Sequence, residues 1–164
     1  MPRPHLVSRA SSGAEWLKLD HQLCFALYST SLAMTKFYKP LLDPLGLTYP
    51  QYLVMLVLWE HDGVTVSQLG ERLALDSGTL TPLLKRLEAQ GLVRRLRDVA
   101  DERRVLLHLT PAGRALKGKA RSVPESVACA AGCALDELAA LTARLKALRS
   151  QITESTTTPS PRAA

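Results

Sequence analysis

Residues 65 to 110 constrain the fold more than any other part of this 164-residue chain. They read TVSQLGERLALDSGTLTPLLKRLEAQGLVRRLRDVADERRVLLHLT. Two amphipathic helices separated by a tight turn are followed by two strand-like runs, 93–97 and 105–109, which a polar stretch joins. This order predicts a helix-turn-helix with a β-hairpin wing. In that arrangement the second helix can enter the major groove of DNA while the hairpin follows the adjacent backbone.

Capping residues place the ends of these two helices. Thr65 and Gln68 have the spacing of a capping box, so we expect the first helix to begin directly after Thr65. Either Asp76 or Ser77 can cap the second helix, and Gly91 is suited to end it. The turn between them therefore falls at residues 74 and 75.

Apolar helices flank this unit on both sides. The sequence predicts helices over residues 19–38, 48–61, 111–133 (bent at Pro124) and 136–152. The apolar residues of the first and last exceed what a small winged unit can cover, which predicts a two-fold dimer formed through them. A dimer would place two reading helices about 34 Å apart, a spacing suited to a palindromic operator on double-stranded DNA.

The predicted fold is therefore mainly α with a small β-hairpin wing, a winged helix-turn-helix that dimerises through its N- and C-terminal helices. Its expected organisation follows the chain: a flexible N-terminus (1–15), N-terminal dimerisation helices (16–47), the DNA-binding domain (48–110), C-terminal dimerisation helices (111–152) and a disordered tail (153–164).

Composition narrows the function classes. The net charge of +6 suits an anionic partner. No apolar run reaches the roughly 18–20 residues of a membrane span, and no secretion signal is evident, so we expect a cytoplasmic protein without a membrane partner. Three cysteines, an odd number, are expected to be free thiols. The four histidines are scattered and no Gly-rich phosphate loop occurs, so neither a metal nor a cofactor is expected.

Candidate DNA contacts lie on the second helix and in the wing. From Lys85 to Arg104 there are seven Lys or Arg against four Asp or Glu. The helix offers Ser77, Thr79, Thr81, Lys85 and Arg86, and the wing offers Arg94, Arg95, Asp101, Arg103 and Arg104. Asp101 is expected to hold Arg103 extended. The alternative is a solvated edge on a protein-binding winged helix, but the positive balance and the small hydroxyl residues favour DNA.

Cys24 lies in the apolar helical stretch LDHQLCFALYST, and its position alone leaves two interpretations open. A lone cysteine in such a helix is usually an inert core residue. However, four tyrosines (Tyr28, Tyr38, Tyr49 and Tyr52) lie nearby in sequence, and a phenol can donate a hydrogen bond to a thiolate. Phe25 and Leu27 would line an apolar pocket suited to an organic peroxide.

Three motifs together give a more specific indication: LLDPLGLTYPQYLVMLVLWE, VSQLGERLALDSGTLTPLLKRLEAQGLVRR and DERR. Over residues 16–152 the chain resembles the MarR family of dimeric winged-helix repressors, and within it the organic-hydroperoxide sensor (OhrR) branch. That branch keeps a proline where Pro82 interrupts the second helix, a residue that local sequence does not explain. The resemblance implies that Arg103 enters the minor groove.

The resemblance also assigns roles to the cysteines. It implies that Cys24 is the peroxide-reactive residue and that Tyr38 and Tyr49 hydrogen-bond to it, while Tyr28 and Tyr52 remain core-packing residues. An added C-terminal cysteine implies a disulfide between subunits, with Cys129 the preferred partner and Cys133 the substitute. The position of Cys129 and Cys133 alone, in the segment ACAAGCAL, indicates instead two small buried packing residues.

The implied function is a repressor and not an enzyme. An organic hydroperoxide oxidises Cys24 to a sulfenic acid, Cys129 of the other subunit forms a disulfide with it, and operator DNA is released. The main alternative is a MarR-type repressor released by a non-covalent aromatic ligand bound between the dimer helices and the DNA-binding lobes. An activator, and a thiol peroxidase that uses Cys24 catalytically, are further alternatives, although the peroxidase would leave the basic wing without a purpose.

Overall fold

The computed structural model describes residues 15–97, 101, 104–132 and 134–157. These residues fall into two compact units that divide between Leu116 and Lys117. Most of the described residues are helical, with a small antiparallel sheet, so the predicted mainly α fold with a β-hairpin wing is confirmed, while dimerisation through the terminal helices stays a prediction. The elements are α1 (Leu23–Leu42), α2 (Tyr49–Glu60), β1 (Val64–Thr65), α3 (Val66–Leu73), α4 (Ser77–Ala89), β2 (Val93–Arg97), β3 (Val105–Leu109), α5 (Pro111–Lys119), α6 (Ser122–Ala131) and α7 (Leu135–Thr157).

The sheet has the strand order β1-β3-β2, and all pairings in it are antiparallel. The wing strands β2 and β3 occupy the predicted positions, and their register pairs Val93 with Leu109 and Arg97 with Val105. β1 is an addition that the sequence did not predict. Two residues are too short to show an alternating pattern, and β1 exists because it pairs with the buried strand β3.

The core of the first unit lies between α2, α3, α4 and the sheet. It includes Met55, Leu58, Leu69, Leu84 and Leu107, each 1% exposed or less. Full burial of such side chains stabilises a fold by about 1.5–3 kcal/mol each. This packing holds the predicted reading helix α4 against α2 and β2, which makes the helix-turn-helix and wing one body.

Two predicted helix boundaries were wrong. The first helix runs from Leu23 to Leu42 and not from residue 19 to 38, because short 3-10 turns occupy Glu15–Leu17 and Leu19–His21. Pro40 does not end α1, since in the last turn it removes only one backbone bond. The left-handed turn at Gly46, φ +67°, reverses the chain before α2.

The C-terminal half also differs from expectation. The predicted bend at Pro124 is wrong: the helix breaks at residues 120 and 121, and Pro124 lies in the first turn of α6, where its missing N–H is not needed. α7 extends to Thr157, five residues into the predicted disordered tail. The hydroxyls of Thr153 and Ser155 donate to the carbonyls of Arg149 and Gln151, 2.9 and 2.8 Å away, and so keep local polar groups paired within this helix.

Two helices expose their apolar side chains. In α1 only Leu42 is buried, although the helix contains Leu23, Phe25, Leu27 and Leu32. In the second unit, α7 exposes Leu135, Leu141, Leu145 and Ile152. Within the described residues, no single helix has the length and apolar composition to cross a membrane, although two sharply bent helix pairs meet both criteria by length and composition only.

Candidate functional site

The turn between α3 and α4 depends on one close approach. Gly70 lies in α3, and a Cβ added there would be 2.8 Å from the Leu75 carbonyl oxygen and 3.3 Å from Leu80 Cδ1. Ala74, which ends α3, adopts the left-handed conformation with φ 54°. The predicted capping box is confirmed: Gln68 N donates to Thr65 Oγ1 (3.1 Å), and Thr65 N donates to Gln68 Oε1 (2.9 Å).

Asp76 is the N-cap of α4, and Ser77 is the first helical residue. The Asp76 carboxylate accepts from the Thr79 backbone N–H (2.8 Å) and from the Thr79 hydroxyl (3.0 Å). These bonds stabilise the ionised form, so the pKa of Asp76 lies below its usual value. The carboxylate therefore fixes the start of the helix that is expected to meet base edges.

α4 has two distinct faces. Leu80, Leu84 and Leu87 are buried, and at about 100° per residue Pro82 lies on the opposite, exposed face. The carbonyl that the proline leaves without a helical donor belongs to Gly78, which is also an exposed residue, so the helix can accommodate the proline there. The predicted contacts on α4 are all exposed: Ser77, Thr79, Thr81, Lys85 and Arg86. The Thr81 hydroxyl donates to the Ser77 carbonyl (2.7 Å), so it is oriented along the helix.

The wing arginines divide between the two faces of the sheet. Arg95 and Leu107 are paired and share the core-facing side, whereas Arg94 pairs with His108 on the other side. Arg95 Nε donates to Glu88 Oε2 of α4 at 2.6 Å, and both side chains are about two-thirds buried or more. Arg95 thus ties the wing to the reading helix. Sequence reasoning missed Glu88, because nothing local signals a helix-to-strand pair.

The tip of the wing is described in part. Asp101 and Arg104 are exposed, and the Arg104 N–H donates to the Asp101 carbonyl at 2.9 Å. Arg103 lies outside the described residues, so its predicted minor-groove contact and its pairing with Asp101 stay predictions.

Cys24 is the second residue of α1 and is exposed. Its neighbours Leu23 and Phe25 are also exposed, 55% and 37% respectively, so the thiol lies on an uncovered apolar surface and not in this chain's core.

The tyrosines form a cluster between the end of α1 and α2. The ring centroids of Tyr38 and Tyr49 are 4.6 Å apart, and those of Tyr38 and Tyr52 are 5.9 Å apart. Burial, together with the neighbouring phenols of Tyr49 and Tyr52, raises the pKa of Tyr38 to about 12, and burial also raises the pKa of Tyr49. Both phenols are therefore protonated at neutral pH and can donate hydrogen bonds.

Within one chain, the structure does not bring Cys24 to these tyrosines. Cys24 and Tyr38 belong to the same continuous helix, 14 residues apart, which corresponds to about 21 Å along its axis. No pair of side chains spans that gap. Tyr52 is 2% exposed, so its predicted core role is confirmed, but Tyr28 is 62% exposed and the prediction of core packing within this chain was wrong. Tyr28 lies on the part of α1 that nothing in the chain covers.

Cys129 lies in α6 of the second unit and is exposed. It lines a largely apolar cavity of about 620 Å³, together with Pro124, Ala128 and Leu135. The interpretation of Cys129 as a buried filler is therefore wrong for the isolated chain. Cys133 lies outside the described residues. Among the described residues, no cluster of His, Cys, Asp and Glu could hold a metal ion.

Comparison with known proteins shows which family this chain resembles. Residues 36–119 match the family model of the transcriptional regulator SarA/Rot. Over 111 residues the chain is 59% identical to the organic hydroperoxide resistance transcriptional regulator of Bacillus subtilis (strain 168), covering 68% of this chain and 76% of that protein. It is also 54% identical over 134 residues to the regulator TtmR of Methylorubrum extorquens (strain PA1), covering 82% and 69%.

A solved structure agrees with this assignment. The structure of reduced AbfR bound to DNA superposes with a TM-score of 0.70 at 35% identity, over 87% of this chain and 99% of that one. The matches include α4 and the wing strands, whose predicted DNA contacts are exposed in this chain. The chain therefore belongs to the MarR-type winged-helix transcriptional regulators and is a DNA-binding regulator of the OhrR type.

Proposed function

We propose that this regulator is a repressor that senses organic hydroperoxides through Cys24. The observation that carries the proposal is an exposed thiol on an uncovered apolar helix, in a chain that also holds a pair of protonated tyrosines. The B. subtilis relative is named for organic hydroperoxide resistance, and AbfR has been solved in reduced, overoxidised and disulfide forms. These names support a redox trigger.

A second copy of the chain completes the sensing site in this proposal. The gap of about 21 Å along α1 excludes a contact between Cys24 and Tyr38 of the same chain. If two α1 helices pack antiparallel about a two-fold axis, the Cys24 end of one lies near the Tyr38 end of the other. Such a dimer also covers the exposed leucines of α1, and those of α7 provide a further apolar surface for it.

The chemistry has two balanced steps. The Cys24 thiolate attacks the distal peroxide oxygen, the O–O bond breaks, and the alkoxide takes a proton to leave as an alcohol, with a sulfenic acid on Cys24. The phenols of Tyr38 and Tyr49 in the partner subunit orient and stabilise the thiolate. The thiol of Cys129 in the partner subunit then attacks the sulfenic sulfur, forming a disulfide and releasing water.

The disulfide constrains the dimer. Its two Cα atoms must come within about 7 Å of each other, so helices whose thiols start farther apart have to move. Movement changes the spacing of the two α4 helices on a palindromic operator, and several phosphate interactions break together. The operator is then released.

Peroxide treatment of a variant that lacks Cys24 tests this proposal. Reduced protein bound to operator DNA is exposed to cumene hydroperoxide, and DNA release is followed by fluorescence anisotropy. Wild type should release DNA, dithiothreitol should restore binding, and Cys24→Ser should remain bound. Release of DNA by Cys24→Ser at the same dose would refute Cys24 as the sensor.

Non-reducing gel electrophoresis identifies the second cysteine. Wild type and Cys133→Ser should give a covalent dimer after peroxide treatment, and Cys129→Ser should not. A dimer band that persists in Cys129→Ser and disappears in Cys133→Ser would transfer the role to Cys133.

One observation favours a second candidate, release by a small non-covalent ligand. A cavity of about 350 Å³ lies beside Tyr49 and is lined by Lys36, Lys39 and Leu47 among others. Lys39 is paired with Asp43 at 2.8 Å, so the apolar lining and Lys36 are the features that suit an aromatic anion. PcaV from Streptomyces coelicolor, 26% identical with a TM-score of 0.69, has been solved with its natural ligand. DNA release by an aromatic carboxylate in the Cys24→Ser variant would support this candidate.

A further inference from the structure

One carboxylate joins three elements at the base of the wing. Asp62 lies between α2 and β1, and its Oδ1 accepts from the Leu109 backbone N–H of β3 at 2.9 Å. Its Oδ2 accepts from Arg114 Nη1 of α5 at 2.8 Å. Because the two oxygens bind different elements, this side chain holds the end of β3 and the start of α5 against the end of α2.

His108 extends this junction to the basic strand. His108 Nδ1 lies 3.6 Å from Asp62 Oδ1, and His108 pairs directly with Arg94 of β2. Gly63 packs against the other side of the junction: a Cβ there would be 3.0 Å from His108 Cε1, and Gly63 N donates to the Leu107 carbonyl at 3.0 Å. Side-chain and backbone hydrogen bonds therefore both connect the base of the wing to the segment that follows α2.

We infer that Asp62 is a positioning residue for DNA binding, which sets the wing at the angle its arginines need to meet the phosphate backbone. It acts through β3 and does not touch DNA itself. The charge of Asp62 would by itself repel DNA, so a positive effect of this residue on affinity can only come from the geometry it imposes. The inference rests on the DNA binding of the family and not on the redox proposal.

Substitution separates the geometric effect from the effect of charge. Asp62→Ala removes both acceptors and raises the net charge by one, which alone would strengthen DNA binding. Asp43→Ala is the matched control, because it makes the same charge change at an exposed aspartate paired only locally, to Lys39 at 2.8 Å. We expect about tenfold weaker operator binding for Asp62→Ala, and equal or slightly tighter binding for Asp43→Ala.

The salt dependence of binding distinguishes positioning from loss of fold. The slope of log K against log salt falls by about 1 for each phosphate that the protein no longer neutralises, hence by about 2 for a dimer in which each wing releases one phosphate. A partly unfolded sample has less active protein, but the remainder keeps the wild-type slope. Asp62→Ala should therefore show a shallower slope, measured by anisotropy in reducing buffer without peroxide, after circular dichroism has shown it to be folded.

A milder variant covers the case in which Asp62→Ala does not fold. Asp62→Asn keeps an acceptor for Leu109 N–H and loses the charged pair with Arg114, so we expect about threefold weaker binding. If Asp62→Ala folds and keeps the wild-type affinity and salt slope, the inference is overturned. If only Asp62→Asn folds, wild-type affinity of that variant overturns it. Since no oxidant is present, failure of the Cys24 proposal would leave these results unaffected.

Discussion

Two glycines of α5 should respond oppositely to the same substitution. A Cβ added to Gly113 would lie 2.1 Å from the Leu92 carbonyl oxygen and 3.2 Å from Leu109 Cδ2, whereas one added to Gly118 meets nothing within 4 Å. Neither glycine has a positive φ, so alanine is compatible with the backbone at both. Only the space around each Cβ differs.

The magnitude follows from the displacement that Gly113→Ala requires. The Cβ must retreat from 2.1 Å to at least 3.0 Å, so α5 and Leu92 separate by about 0.9 Å. Two bonds span that contact or lie beside it: Thr110 N to the Leu92 carbonyl (3.0 Å) and Trp59 Nε1 to the Gly113 carbonyl (2.9 Å). Overpacking costs about 1–3 kcal/mol, and the weakened hydrogen bonds cost about 1 kcal/mol. The higher helix propensity of alanine offsets about 1 kcal/mol of this loss.

We therefore expect Gly113→Ala to lower the free energy of unfolding by about 1–3 kcal/mol, and Gly118→Ala to raise it by about 0.5–1 kcal/mol. Urea unfolding followed by circular dichroism at equal protein concentrations measures both. For a chain of this length the melting temperature changes by about 2–4 °C per kcal/mol. Equal stability of the two variants would refute the argument that the Leu92 carbonyl excludes a side chain at Gly113.

The remaining predictions concern the sensing site and the dimer. Tyr38→Phe should bind operator like wild type but release it roughly tenfold more slowly with cumene hydroperoxide, because the thiolate loses a donor; an unchanged rate argues against this phenol as a donor. The pKa of Tyr38 is about 12 in the folded protein against an ordinary value of 10. The protonated phenol therefore contributes fully to the free energy of unfolding below pH 10, and this contribution declines as the pH rises towards 12. Absorbance at 295 nm should show a last tyrosine ionising near pH 12, and Tyr38→Phe should lose that final step. Leu145→Glu on exposed α7 should raise the dimer dissociation constant at least tenfold by sedimentation, with Ala143→Glu, an exposed position on the opposite face of the helix, as the control.

Local chemistry explains why part of the fold was predictable. The Thr65–Gln68 capping box, the cap at Asp76 and the strand propensity of β2 and β3 each depend on residues within a few positions of one another. Their hydrogen bonds close inside one turn or one hairpin, so the pattern alone determines the element. The break near Pro124 was misplaced because a proline tolerated in a first turn and a proline that bends a helix look alike in sequence.

The sequence by itself determined the order of the winged unit, the positions of its caps and the identity of the cysteines and tyrosines that the resemblance singled out. Tertiary structure decided how these residues are distributed in space. It placed Arg95 against Glu88 and Asp62 between β3 and α5, and it separated Cys24 from Tyr38 by most of a helix. Such relations join residues far apart in the chain or set them along a rigid element, so they depend on packing and helix geometry and leave no periodic trace in the sequence.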